Sequence, residues 1–293
     1  MLTIILTTYK EPYTIGKAIE QVLKNPLPED YEILVTAPDD ETLEVAKQYA
    51  KENQKIKTIK DAGQGKPSAL NMVFEKAKGD ILVLTDGDVH ISENSIPELL
   101  KHFQDPKVGA VSGHPIPTDP KSTMLGYWSH TLTDMAHKIR LKKSQNNNFI
   151  LCTGYLFAFR KNLLTNKIPL EVLDDAYISQ EIWKKNSKIK YEPRAVVFIK
   201  NPTKIKDWIK QKKRNTFGEF TLKKYQAKTM RSFKDEVKGG ALKILSYPKT
   251  PTQALWIGIL IFARLYIWAN ASFNAIVKKS PMQKVWVRIE STK

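Results

Sequence analysis

Ile81-Leu82-Val83-Leu84-Thr85-Asp86-Gly87-Asp88 decides the fold. The four apolar residues at its head show no polar alternation, which predicts a strand buried on both faces, as in a parallel sheet. At its end Asp86 and Asp88 stand at i and i+2, so in extended chain their carboxylates share a face and offer oxygen ligands to a hard divalent cation. Gly87 between them leaves room for a phosphate to approach the backbone. Asp-Gly between apolar runs is also a strong hairpin signal, and these eight residues alone do not separate the two readings.

The chain on either side favours the parallel sheet. Residues 2–8 are a β-rich apolar run, and 13–23 have helical spacing through Ile15, Ala18, Ile19, Val22 and Leu23. A second strand is expected over 31–36, a helix over 41–53, a short strand over 56–59 and a helix over 68–77 that leads into Ile81. Strand and helix thus alternate up to Asp86, which predicts an α/β fold with a mostly parallel sheet and helices on both faces. In such sheets ligands bind at the carboxyl ends of the strands, where Thr7, Tyr9, Asp39, Asp86 and Asp88 fall. Beyond the centre the pattern gives a helix over 95–103, a strand over 108–111, a proline-rich loop over 113–120 and a helix over 124–141. A β-like stretch over 149–159, broken at Thr153-Gly154, a helix over 177–185, a strand over 195–199 and a basic helix over 203–218 follow.

The 293 residues suffice for one large domain with an appendage, and a formal charge of +17 points to an anionic partner: phosphate-bearing substrate, acidic membrane or nucleic acid. The single cysteine, Cys152, excludes an intramolecular disulfide and a cysteine-rich metal site, and its apolar neighbours predict a core thiol. The N-terminus enters a strand at once, without the basic region and cleavage site of a signal peptide.

Composition changes in the tail, which places a boundary between residues 1–225 and a helical, basic and apolar region over 226–293. Residues 255–269 are almost wholly apolar, carry Trp256, Tyr266 and Trp268, and have lysines on both flanks. The run is short of the roughly 20 residues a spanning helix needs, and an extension to 277 takes in Arg264, Asn270 and Asn274. An interfacial or re-entrant helix at an anionic membrane is therefore expected, the other reading being a helix buried in the core.

Gly63-Gln64-Gly65-Lys66-Pro67-Ser68 opens directly into a helix, so that backbone amides and one ammonium favour an anion there, although the spacing is not that of a P-loop. Together with the N-terminal TIILTTYKEP, the GKPSALN that follows Gln64, the strand-ending TDGD, CTGYLFAFRK, LDDAYIS and QKKRN, it resembles in order and spacing the family 2 glycosyltransferases of GT-A fold, over residues 1–218. The resemblance implies that Asp86 and Asp88 hold a divalent metal, Mg2+ or Mn2+, and with it the diphosphate of a nucleotide-sugar donor. It implies phosphate contact by Lys66, a general base at Asp175 beside Asp174 and Gly154, and a substrate-binding box at Gln211 and Arg214. Asn215 stands where the box of the membrane polysaccharide synthases has tryptophan, and Asp39 or Asp40 stands near the usual base-contacting acid. The implied reaction is inverting transfer from a nucleotide diphosphate sugar, UDP-sugar by family frequency, to a hydroxyl or lipid-linked acceptor at the cytoplasmic face of a membrane, with peripheral or C-terminal anchoring.

Two rivals remain at this stage. A haloacid dehalogenase-type phosphatase also uses an acidic pair after an apolar strand, but His90 stands where it has threonine or valine. His90 is otherwise expected at the surface. A nucleic-acid-binding protein would account for the charge, with Trp208 among lysines as a partial stacking platform, yet has no use for the carboxylate pairs. No nucleic acid is expected as a partner.

Overall fold

The computed structural model of the chain describes residues 1–223 and 241–274. The boundary expected at 225/226, the extension of the apolar run to 277 and the flanking lysines beyond it fall outside these residues. The chain forms two compact units: Met1–Ile116 with Arg140–Leu170 and Asp174–Ile199, and Pro117–Ile139 with Glu171–Leu173 and Lys200–Lys293.

The first unit is built on an eight-stranded sheet in the order β3-β2-β1-β4-β7-β6-β8-β5. Its parallel half follows the predicted alternation: β1 (Leu2–Thr7), α1 (Ile15–Leu23), β2 (Tyr31–Ala37), α2 (Asp40–Glu52), β3 (Ile56–Lys60), α3 (Lys66–Lys76) and β4 (Ile81–Asp86). All six residues of β1 are buried, as befits a strand covered on both faces. β1 pairs in parallel with both β2 and β4, in a register that sets Thr7 opposite Thr36 on one side and Asp86 on the other. From β1 the chain first winds outward to β2 and β3 and then crosses back to β4, so the strand order reverses between β1 and β4. A crevice opens at such a reversal, beyond the carboxyl ends of the two strands.

The other half is antiparallel. β7 (Leu156–Arg160) runs against β4, β6 (Val108–Pro117) runs against β7, and β5 (His90–Ile91) runs against β8 (Lys188–Ile199). The sheet is therefore mixed, parallel where the alternation was strict and antiparallel where it lapsed. β6 continues through the expected proline-rich loop to Pro117, because the fixed φ of Pro115 and Pro117 suits extended backbone. The 149–159 stretch is a strand only at its end: the amides of Cys152 and Thr153 are taken by the hydroxyls of Ser179 and Ser112, each at 3.0 Å, and not by a neighbouring strand. α4 (Ser95–Leu100) passes into a 3-10 turn, Lys101–Gln104, and α6 (Asp174–Lys184) begins before Tyr177, with the acidic pair inside its first turn.

The second unit is helical. It takes in the first part of α5 (Met124–Gln145), α7 (Ile205–Lys223), the short α8 (Ala241–Ile244) and α9 (Pro251–Ser272). Its core holds Tyr127, Trp128, Trp208, Ile257, Leu260 and Ile267, with the rings of Trp128 and Trp208 4.9 Å apart. Trp128 Nε1 donates to the carbonyl of Trp256 at 2.8 Å, which fixes α9 against α5.

Candidate active site in the first unit

Four chain segments meet at the crevice: the end of β1, the start of α3, the end of β4 with its turn, and the first turn of α6. Thr7 Oγ1 donates to Asp86 Oδ1 at 2.9 Å across the parallel register. Lys66, the first residue of α3, places Nζ 2.6 Å from the same oxygen and 3.6 Å from Asp174 Oδ2. The turn before it needs glycine, since Gly63 and Gly65 have φ of 66° and 98°. Asp61, which the sequence reading passed over, holds that turn: its carboxylate accepts the amide of Gly63 at 2.8 Å and the hydroxyl of Thr36 at 3.1 Å.

The electrostatics follow from burial. Lys66 lies among three carboxylates, and although burial alone would lower its pKa, the charges of Asp174 and Asp86 hold the ammonium protonated well above its usual value. Burial first, and the charge of Asp86 second, push the Asp88 carboxyl up to about 6. Burial, then the neighbouring charge of Asp174, push Asp175 up to about 7, against the opposing pull of Lys66 and Arg140. Asp175 Oδ1 accepts the amide of Ala176 at 2.8 Å, and Ser179 Oγ donates to its carbonyl at 2.7 Å. Asp174 is buried, and its Oδ2 accepts no hydrogen bond. Gly154 faces this pair: a Cβ there would stand 3.2 Å from Asp175 Oδ2. Arg140, on α5 and buried, donates to the carbonyl of Leu151 at 3.2 Å and was not marked by any motif.

The room beside Gly87 is taken by protein. A Cβ on Gly87 would meet Thr8 Cβ at 2.7 Å and Oγ1 at 2.8 Å, and Thr8 in turn donates to Glu11 at 2.8 Å. Gly87 is thus required by the packing of the β1 end, a role its sequence context did not reveal.

The remaining expected residues divide. Tyr9 is exposed beyond β1, with the Lys10 ammonium 5.7 Å above its ring. Asp39 caps α2: it accepts the amide of Thr42 at 3.0 Å and of Lys10 at 2.7 Å, and despite burial these bonds and the Thr42 hydroxyl hold its carboxyl below the usual range. Gln211 and Arg214 lie on α7 and belong to the second unit, where Gln211 is buried. His90 is half buried opposite Phe198 on β8, and burial with the charge of Lys17 lowers the pKa of its imidazole. Cys152 is the buried thiol expected, pushed up to about 12 by burial.

Among the described residues no three histidine, cysteine or acidic side chains are grouped so that they could hold a metal ion by themselves. β4 ends at Asp86 and Asp88 lies in the turn beyond it, so the pair is brought together by the turn and not by the extended pleat expected; two carboxylates there nonetheless fit a hard cation whose remaining ligands come from a diphosphate.

The comparisons with known proteins settle the family. The model of "Glycosyl transferase family 2" matches residues 3–166. The chain belongs to glycosyl transferase family 2. That membership favours the transferase reading over the phosphatase one. A poly-beta-1,6-N-acetyl-D-glucosamine synthase of Staphylococcus epidermidis is 24% identical over 219 residues, which cover 73% of this chain and 53% of the relative. A hyaluronan synthase of Streptococcus pyogenes serotype M1 is 24% identical over 230 residues, covering 73% and 51%. The chain spans about half the length of these curated relatives. Among solved structures it is similar to the mannosyltransferase PcManGT from Pyrobaculum calidifontis, determined in complex with GDP-Man and Mn2+, with a TM-score of 0.71 at 19% identity over 95% of this chain and 88% of that one. That likeness shows the GT-A fold.

Proposed function

We propose that the chain is a metal-dependent inverting glycosyltransferase that moves a sugar from a nucleotide diphosphate sugar to a hydroxyl or lipid-linked acceptor. The observation that carries the reading is the bridge of Lys66 between Asp86 on β4 and Asp174 on α6, 2.6 and 3.6 Å away, with Asp175 beside it. It joins the strand end proposed to bind the diphosphate to an acidic pair in one unit, Asp174 buried and Asp175 half-buried.

Asp86 and Asp88 would hold the divalent cation, Mg2+ or Mn2+, which when bound supplies positive charge against the leaving diphosphate. Lys66 turns from Asp86 to a phosphate oxygen and neutralises part of the same charge. Thr7 keeps Asp86 oriented through its 2.9 Å hydrogen bond. Asp175 takes the proton of the acceptor hydroxyl as that oxygen attacks the anomeric carbon from the side opposite the diphosphate; one displacement inverts the centre. A carboxyl pushed up to about 7 matches that task near neutral pH better than an ordinary aspartate. Asp174 keeps the field around it negative, and Gly154 leaves the face of Asp175 open. Tyr9 and Asp39, at the ends of β1 and β2, are assigned to the nucleoside, and Gln211 and Arg214 to the acceptor side.

The donor is proposed as a UDP-sugar on the family resemblance, with GDP-mannose, bound in the solved neighbour, as the competitor. Residues 1–225 are proposed as the transferase domain and 226–293 as a region that holds it to the anionic cytoplasmic face of a membrane, peripherally or by its C-terminus. The support for this is α9, the one helix among the described residues long and apolar enough to cross a membrane. A panel of UDP- and GDP-sugars, each with Mn2+ or Mg2+, scored for donor hydrolysis and for binding by calorimetry, tests the reading. Binding of one donor that disappears with EDTA is expected, and a protein that neither binds nor hydrolyses any sugar nucleotide would overturn it.

A further inference from the structure

We infer that α9 lies flat in the headgroup region of an anionic bilayer, embedded by one stripe of side chains and held to the protein by the other. This rests on the membrane part of the proposed function and assigns it a surface.

At roughly 100° per residue, Leu255, Ile259, Phe262, Tyr266, Ala269 and Phe273 fall within about 40° of one line along the helix. All six are exposed, Leu255 at 65% and Phe262 at 75%. Ile257, Leu260, Ile267, Trp268 and Ala271 fall on the opposite side and are buried. The only charged residue of α9, Arg264, is about 180° from Leu255 and half buried, so it points away from the exposed stripe. Both faces are therefore apolar, and the one cation is on the protein side. This is the reverse of a surface helix facing water. A contiguous apolar stripe that runs the length of a 22-residue helix calls for a partner.

Charge selects that partner. Lys243 and Lys249 are exposed ahead of the stripe. Lys206, Lys210 and Lys213 line one side of α7, and Lys213 Nζ stands 4.6 Å above the ring of Tyr266 and donates to its hydroxyl at 3.1 Å. Apolar and aromatic side chains rimmed by lysines suit an anionic headgroup layer. A second copy of a chain with net charge +17 would bring the same lysines against each other. The buried face decides between lying and spanning, since a spanning helix would have to give up the cluster around Trp128 and the bond from Trp128 Nε1 to the Trp256 carbonyl.

The test uses the full chain with vesicles of phosphatidylcholine, alone or mixed with phosphatidylglycerol. Wild type should co-sediment with the mixed vesicles, and Leu255→Glu with Phe262→Glu should weaken that binding about tenfold or more while circular dichroism stays unchanged. Equal binding by the variant would overturn the assignment of this stripe and leave the membrane reading standing. Failure of wild type to bind either vesicle would overturn both. A dimer in light scattering that the variant dissolves would give the stripe to a second copy and overturn the inference. Because Cys152 is buried, single labels at Leu255→Cys, Phe262→Cys and Phe273→Cys report depth by quenching. A flat helix gives one shallow depth for all three, whereas a spread approaching the roughly 27 Å between the outer two along the helix would show spanning and overturn it.

Discussion

Lys66 Nζ lies 2.6 Å from Asp86 Oδ1 and 3.6 Å from Asp174 Oδ2, so one ammonium joins residues 88 positions apart in the sequence. A half-buried cation between two carboxylates keeps the strand end and the helix start together before any ligand arrives. On the proposed reading it also stands where the diphosphate would come, so donor binding would exchange one anionic partner for another and leave Lys66 paired throughout.

Lys66→Met should therefore weaken nucleoside diphosphate binding with the metal still present. A hydrogen bond to a charged group is worth about 1.5–3 kcal/mol, or roughly ten- to a hundredfold in affinity. Calorimetric titration with UDP and GDP in Mn2+ measures it, and unchanged affinity would remove Lys66 from the phosphate site.

Asp88→Asn removes one of the two proposed cation ligands, and the loss of metal-dependent nucleotide affinity should exceed the 10- to 100-fold or so that an outer-shell partner costs. The folded protein without metal should not suffer. With its carboxyl pushed up to about 6 by burial and Asp86, ionised Asp88 is a burden on the fold, and its replacement should hold or raise the melting temperature at pH 8. A variant that binds Mn2+ and UDP as wild type does would place the cation elsewhere.

Gly87→Ala would set a methyl carbon 2.7 Å from Thr8 Cβ. Overpacking of this kind costs about 1–3 kcal/mol, visible as a lowered urea midpoint with the slope retained. Wild-type stability would mean that the end of β1 yields easily, and that Gly87 serves access to the backbone instead.

What the sequence disclosed, and what it withheld, follows from range. The β1 to β4 alternation was legible because strands buried on both faces are continuously apolar and the helices between them are periodic. The start of α6 was placed late because Asp174 and Asp175 break the apolar spacing, although acidic residues suit the first turn of a helix. Arg140 and Asp61 carry no motif and reach the site only through the fold. The two faces of α9 could not be told apart in sequence since both are apolar; only the packing of Ile257 and Leu260 shows which side is spare.

Asp175→Asn should separate catalysis from binding. The proposed general base would act on the acceptor hydroxyl and hold neither metal nor diphosphate, so donor affinity should stay while turnover falls by about a hundred- to ten-thousandfold. In wild type the base must be ionised to work, so turnover should rise with pH through about 7 and level off above it. Stability runs the other way. The folded pKa lies above the usual aspartate value, so between about pH 4 and 7 the folded chain binds more protons than the unfolded one and stability falls as pH rises. Asparagine removes that dependence, and the variant should melt higher than wild type at pH 8 and alike near pH 4. A role confined to capping α6 predicts the opposite, a loss of about 1 kcal/mol with turnover nearly intact. Stable protein with nearly full activity would instead point to an acceptor that arrives already ionised, such as a lipid phosphate, for which no base is required.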